Sequence, residues 1–156
     1  TKIEDESFYK CTNLYRIMIP SSVNSIGANS FAECSRLDKI SFPQTLKSIG
    51  QGAFINCSSL NKIKIPKSVT IIEENTFSGC SKLKQIEIPS SIKEIRKNAF
   101  TNCTSLKELT ILSNEISISS DSFTGCKSLT SISAYDEVIK QIQSFLNEAE
   151  ISFHPL

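Results

Sequence analysis

Phenylalanine at Phe8, Phe31, Phe54, Phe77, Phe100 and Phe123, cysteine at Cys11, Cys34, Cys57, Cys80, Cys103 and Cys126, and leucine at Leu14, Leu37, Leu60, Leu83, Leu106 and Leu129 all advance by 23 residues. Three residue types locked to one period require a chain of repeated units stacked on one another. Further apolar pairs follow in the same phase: Ile17 and Ile19, Ile40 and Phe42, Ile63 and Ile65, Ile86 and Ile88, Leu109 and Ile111, Ile132 and Ala134. Pro20, Pro43, Pro66 and Pro89 close four of these pairs, and Val23/Ile26, Leu46/Ile49, Val69/Ile72 and Ile92/Ile95 come next.

The unit therefore reads F-x-x-C-x-x-L-x-x-I-x-I-P-x-x-V-x-x-I. Its L-x-x-I-x-I part alternates with the two-residue period of a β-strand, and the proline removes a ladder donor where that strand must stop. One such unit cannot enclose its own apolar side chains. Stacking sets each Phe, Cys, Leu and Ile on its equivalent in the next coil, so the core exists between repeats and an isolated repeat is not expected to fold.

The motifs L-x-x-I-x-I-P and A-F-x-x-C-x-x-L, the latter in Ala53-Phe54 to Leu60 and Ala99-Phe100 to Leu106, resemble the BspA-like class of leucine-rich repeats over residues 3–134. The resemblance implies an α/β solenoid: a right-handed superhelix with one short parallel strand per repeat on the concave face and a C-terminal capping helix. It divides the chain into repeats at 1–134, the first incomplete, and a cap at 135–156. It also implies a cell-surface or secreted protein, in some relatives an adhesin for host matrix or plasma proteins. The family motif names no catalytic or ligand-binding residue.

The fifth repeat departs from the unit, with Leu112 for the proline, Glu115 for the valine, and Ile116 and Ile118 alternating. A change of register in the return path is expected there. Residues 136–149 carry Val138, Ile139, Ile142, Phe145, Leu146 and Ala149 on one helical stripe, with Asp136 as candidate N-cap, which suits a helix covering the last coil. Ile151 and Phe153 then alternate as a closing strand. Ile3 holds the phase of Ile26, so the first coil is half a repeat whose open face is expected to meet further repeats, another domain or a second copy.

An even cysteine count invites disulfides, but equivalent residues in adjacent coils lie at the spacing of paired strands, with parallel Cβ directions that do not suit a bridge. Six stacked, buried thiols are expected, and a straight row without histidine offers no tetrahedral metal site. Free thiols favour a reducing compartment, so a cytoplasmic location stands as the alternative. In Asn56-Cys57-Ser58 and Asn102-Cys103-Thr104, asparagine stands where Gly79 and Gly125 stand in other repeats. A shared Asn/Gly position points to a turn at positive φ rather than to glycosylation.

Composition and motifs argue against catalysis. His154 is the single histidine and reads as a tail residue, while the 16 acidic residues show no paired-carboxylate, EF-hand or zinc spacing. No cofactor or metal is expected. Seventeen basic residues against those sixteen leave a net charge of +1, which draws the chain neither to nucleic acid nor to anionic membrane, and no apolar run is long enough to insert in a bilayer.

What the strands leave outside is more informative. The residues flanking the second apolar position form two columns, Arg16, Lys39, Lys62, Gln85, Glu108, Ser131 and Met18, Ser41, Lys64, Glu87, Thr110, Ser133. The face is basic through the third repeat, acidic in the fourth and fifth, and neutral at the end. Residues Arg16 to Thr110 in these columns are therefore the candidate partner-binding set, expected to recognise a protein by charge order. The alternative is an architectural spacer or intracellular scaffold with a merely solvated face.

Overall fold

The computed structural model describes residues 1–146 and 151–156. In chain order its elements are β1 (Lys2–Ile3), β2 (Arg16–Met18), β3 (Ser25–Ile26), β4 (Lys39–Ser41), β5 (Ser48–Ile49), β6 (Ile71–Ile72), β7 (Gln85–Ile88), β8 (Glu94–Ile95), β9 (Glu108–Ile111), β10 (Ser117–Ile118), β11 (Ser131–Ala134), α1 (Asp136–Gln143) and β12 (Ser152–Pro155). Among the described residues all strand pairing is parallel and, β12 aside, couples equivalent residues one repeat apart, as in Ile17 with Ile40 and Leu109 with Ile132. The fold is a leucine-rich-repeat solenoid.

Two strand columns run along it. The L-x-x-I-x-I segments supply β2, β4, β7, β9 and β11, and β12 pairs onto the end of that column. The V-x-x-I segments form a second column that the alternation of the first had not revealed, in two pieces, β1-β3-β5 and β6-β8-β10.

A third seam runs along the Phe–Cys side. Each of Phe8, Phe31, Phe54, Phe77 and Phe100 donates its N–H to a carbonyl in the next coil at 2.7–2.9 Å. The six rings stack nearly parallel, with centroids 4.9–5.7 Å apart. Phe31, Phe54, Leu37, Leu60, Leu83 and Leu106 are wholly enclosed. Burial of such side chains, at about 1.5–3 kcal/mol each, is the main force holding coil to coil.

The cysteines are all unbridged, but the expectation of six buried thiols needs correction: five are buried and Cys11 is exposed. Cys11 lies in the first of the six repeats. In the interior the Sγ donates to the carbonyl of the Phe one coil back, from Cys34 to Phe8 at 3.1 Å through Cys126 to Phe100 at 3.2 Å. That carbonyl also accepts the backbone N–H of the Cys three residues on, as from Cys57 to Phe54 at 3.1 Å. Both lone pairs of a buried acceptor are thereby used.

The shared Asn/Gly position does take positive φ, with Asn56 at 58°, Gly79 at 75°, Asn102 at 59° and Gly125 at 77°. At 79 a Cβ would meet Asn56 Oδ1 at 2.3 Å, so a side chain there requires the Asn56 amide to move.

Other expectations are corrected. The fifth repeat keeps register: Ser117 pairs with Glu94 and Ile118 with Ile95. Ile118 is 23 residues beyond Ile95, and Ser113 fills the place of the irregular turn, its hydroxyl on the Glu115 carbonyl at 3.3 Å. Asp136 is not the N-cap of α1, because Tyr135 continues the extended backbone of β11 (φ −67°, ψ 150°) and occupies that place without a side-chain cap bond. Asp136 and Glu137 sit instead in the first turn, where their charge suits the helix dipole.

The helix buries Val138, Ile139 and Ile142 and ends at Gln143. Its expected extension to 149 falls partly on residues 147–150, including Glu148, Ala149 and Glu150, which lie outside the described residues. His154 is no loose tail residue, since it lies in β12 beside Ser133.

Candidate functional site

The strand column beginning at β2 has one side turned out of the core, and alternation within each strand decides which residues stand there. Ile17, Ile40, Ile86 and Leu109 point inward, so their neighbours point out. Arg16, Met18, Lys39, Ser41, Lys62, Lys64, Gln85, Glu87 and Glu108 are exposed, and Thr110 is half-buried. Met18 stands 79% exposed, the largest value among the apolar side chains.

Pairing aligns them in rows: Arg16 with Lys39, Met18 with Ser41, Gln85 with Glu108, and Glu87 with Thr110. At the C-terminal end Ser131 and Ser133 are half-buried, with β12 along their edge. The neutral end of the strip is thus also its covered end.

Some charges off the strip form ion pairs, as in Arg96 with Glu73 at 2.6 Å and Glu94 at 3.2 Å, or Lys93 with Glu115 at 3.8 Å, while others there, such as Lys47, Lys97 and Lys127, form none among the described residues. Among the described residues, Arg16, Lys39, Lys62, Lys64, Glu87 and Glu108 enter no ion pair. Arg16 instead lies over the exposed Tyr15 ring, 4.9 Å from its centroid. Six uncompensated charges, basic at one end and acidic at the other, leave a local field on a nearly neutral chain.

The strip is not a continuous sheet. At the third repeat the ladder opens, since residues 62–65 are joined to β4 by one isolated bridge, Lys39 to Lys62, and to β7 by no pairing. The second column breaks at the same level, between β5 and β6. On the Phe–Cys side the coils stay bonded, with Phe54 N–H on the Thr76 carbonyl at 2.9 Å and Asn56 N–H on Ser78 at 2.7 Å. The coils are therefore spread on the strand side and hinged at the rings. The Phe54–Phe77 centroid step, 5.7 Å, is the widest in the stack.

A side chain explains the opening. Phe42 occupies the place held by Ile19, Ile65, Ile88 and Ile111, all buried, but is itself half-buried and meets Phe54 edge-on at 5.7 Å and 60°. A phenyl ring is bulkier than the isoleucine side chain it replaces, and excess volume between coils is relieved by moving backbone. The period itself contained that signal, as the one aromatic residue in the second apolar position; its size was the clue.

Two clefts result. One of about 390 Å³ lies between the second and third coils, walled by Lys39, Lys62, Lys64 and Gln44 over Ile40, Phe42 and Ile63. The other, of about 370 Å³, lies between Lys62/Lys64 and Glu87/Glu108. Neither holds a constellation for bond chemistry. No group of three or more metal-ligating side chains is found among the described residues.

A family model of the BspA type leucine rich repeat region matches six copies across residues 1–130 and 104–149. The chain belongs to the BspA-type leucine-rich repeat family. Solved structures agree. A T. pallidum leucine rich repeat protein superposes with a TM-score of 0.76 at 27% identity, over 100% of this chain and 80% of that one. A leucine rich cell surface protein from Faecalibacterium prausnitzii gives 0.61 at 25%, over 96% of this chain and 55% of that one.

The pneumococcal vaccine antigen PcpA gives a TM-score of 0.72 at 23% identity, which speaks to fold alone, over 91% of this chain and 41% of that one. The chain thus spans about half or less of the latter two proteins. Comparison with curated protein sequences gives no match. Among the described residues no helix is long and apolar enough to cross a membrane.

Proposed function

We propose that this BspA-type repeat chain is a protein-recognition module that binds its partner through the exposed strip from Arg16 to Thr110, and that it does so as an adhesion element at a cell surface. Leucine-rich repeat proteins are in general protein-interaction modules, and stacked repeats supply an extended surface whose side chains vary without disturbing the core. The observation that carries the reading is the order of six exposed strip charges, basic through the third repeat and acidic in the fourth and fifth, none of them in an ion pair among the described residues.

Such charges are free to meet complementary ones, and their order from basic to acidic gives a partner one favoured register. Surface display is supported by the F. prausnitzii neighbour, described as a cell surface protein. A matrix or surface protein of a host fits that setting as partner.

The test is capture from host matrix and plasma protein mixtures with the wild type beside the triple variant Lys39→Glu, Lys62→Glu, Lys64→Glu. A partner retained by the wild type and lost by the variant supports the reading. Equal capture by both removes the strip from recognition, and no capture by the wild type favours a spacer.

A further inference from the structure

The opening at the third coil leaves backbone groups without the partners they have elsewhere. In the paired rows, every second residue of a strand exchanges its N–H and C=O with the preceding coil, as where the Ile19 N–H meets the Ser41 carbonyl at 3.0 Å. Lys64 stands one repeat beyond Ser41 but pairs with neither neighbouring strand. The Lys64 backbone, the Ile40 carbonyl and the Phe42 N–H therefore face the 390 Å³ cleft.

Above them stand the ammonium groups of Lys39, Lys62 and Lys64, none in an ion pair among the described residues. Asp38, on the cleft's rim, is held by the Asn61 amide. Half-buried Phe42 supplies an apolar floor.

From this we infer that the cleft between the second and third coils receives an extended acidic segment of the partner protein, which pairs its backbone with the open edge at Lys64 and sets its carboxylates against the three lysines. The inference rests on the strip being a recognition surface and specifies its ligand chemistry. Charge complementarity selects an acidic occupant. The backbone groups select a peptide, because the cleft presents carbonyl acceptors as well as N–H donors, and a phosphodiester chain has no donor to satisfy the former. Phe42 is the device that keeps the edge open, and isoleucine there lets the ladder close.

The experiment is fluorescence polarisation with a labelled peptide alternating glutamate and valine, beside a glutamine/valine control and the same acidic peptide N-methylated on alternate residues. Wild type binds the acidic peptide, and N-methylation or the glutamine control weakens binding by about tenfold or more, the factor for one lost charge-assisted or backbone pairing. Phe42→Ile weakens it similarly while slowing hydrogen exchange at the Lys64 amide and melting no lower than wild type.

The proposal is overturned if wild type does not bind the acidic peptide, if the N-methylated form binds equally, if a single-stranded oligothymidylate competes as well, or if Phe42→Ile protects Lys64 without affecting binding. Unchanged exchange at Lys64 in Phe42→Ile overturns the role given to Phe42, and the N-methylated peptide then decides the backbone pairing. These failures differ from failure of the strip itself, which is read from the captured partner and the triple lysine variant.

Discussion

The interior cysteines show how one residue can serve as core, spacer and donor. Burial pushes the Cys34 thiol up to about 11 and the Cys80 thiol to about 12 from an ordinary 9.0, and raises that of Cys57 further. These thiols stay neutral and unreactive in the folded protein, whereas Cys11 is open to solvent. One thiol should react with a disulfide reagent under native conditions and six after denaturation.

The same shifts set a pH dependence. A raised folded pKa contributes stability that is complete below the unfolded value near 9 and is lost as pH rises through the folded values. The unfolding free energy from urea titrations should fall above about pH 9, by roughly 1.4 kcal/mol per pH unit per thiol, and Cys80→Ala should flatten the fall. At Gly79, alanine should cost about 1–2 kcal/mol for its left-handed backbone, plus the displacement of Asn56. Placing Gly79→Ala in an Asn56→Gly background should recover part of that loss in thermal melts.

At the scale of elements, stability resides between coils. Phe77 is enclosed and stacked on both sides, at 5.7 Å from Phe54 and 5.4 Å from Phe100, whereas half-buried Phe8 has one ring neighbour at 4.9 Å. Phe77→Ala should therefore cost about 3–5 kcal/mol and Phe8→Ala clearly less, as urea denaturation would report.

Period and strand alternation were legible in the sequence because both repeat six times, and register followed from them except in the fifth repeat, where the lapse at Leu112 and Glu115 read as a change of register although Ile118 keeps the step from Ile95. The second column was not legible, since two-residue strands such as Ser25–Ile26 are too short to alternate. Helix entry at Tyr135 depends on the strand that feeds it, which local capping preference does not encode. Both columns of the strip could be read from alternation, but the opening within it could not. That opening follows from the volume of Phe42 against Phe54, a contact made between repeats rather than within one.

At the scale of the whole molecule, the residues that hold the stack are distinct from those proposed to meet a partner. Phe, Cys, Leu and Ile columns hold the stack, while the strip from Arg16 to Thr110 adds little to stability, each exposed substitution being worth about 0.5 kcal/mol or less. The most direct test is the affinity for the captured partner of Lys39→Glu, Lys62→Glu, Lys64→Glu set against a variant with the same change in net charge off the strip, Lys47→Glu, Lys97→Glu, Lys127→Glu. The first variant should lose binding by about a hundredfold or more, as for two lost complementary charge pairs, while the second binds like wild type and both melt close to it. Equal loss in both variants, or retention in the first, would contradict recognition through the strip.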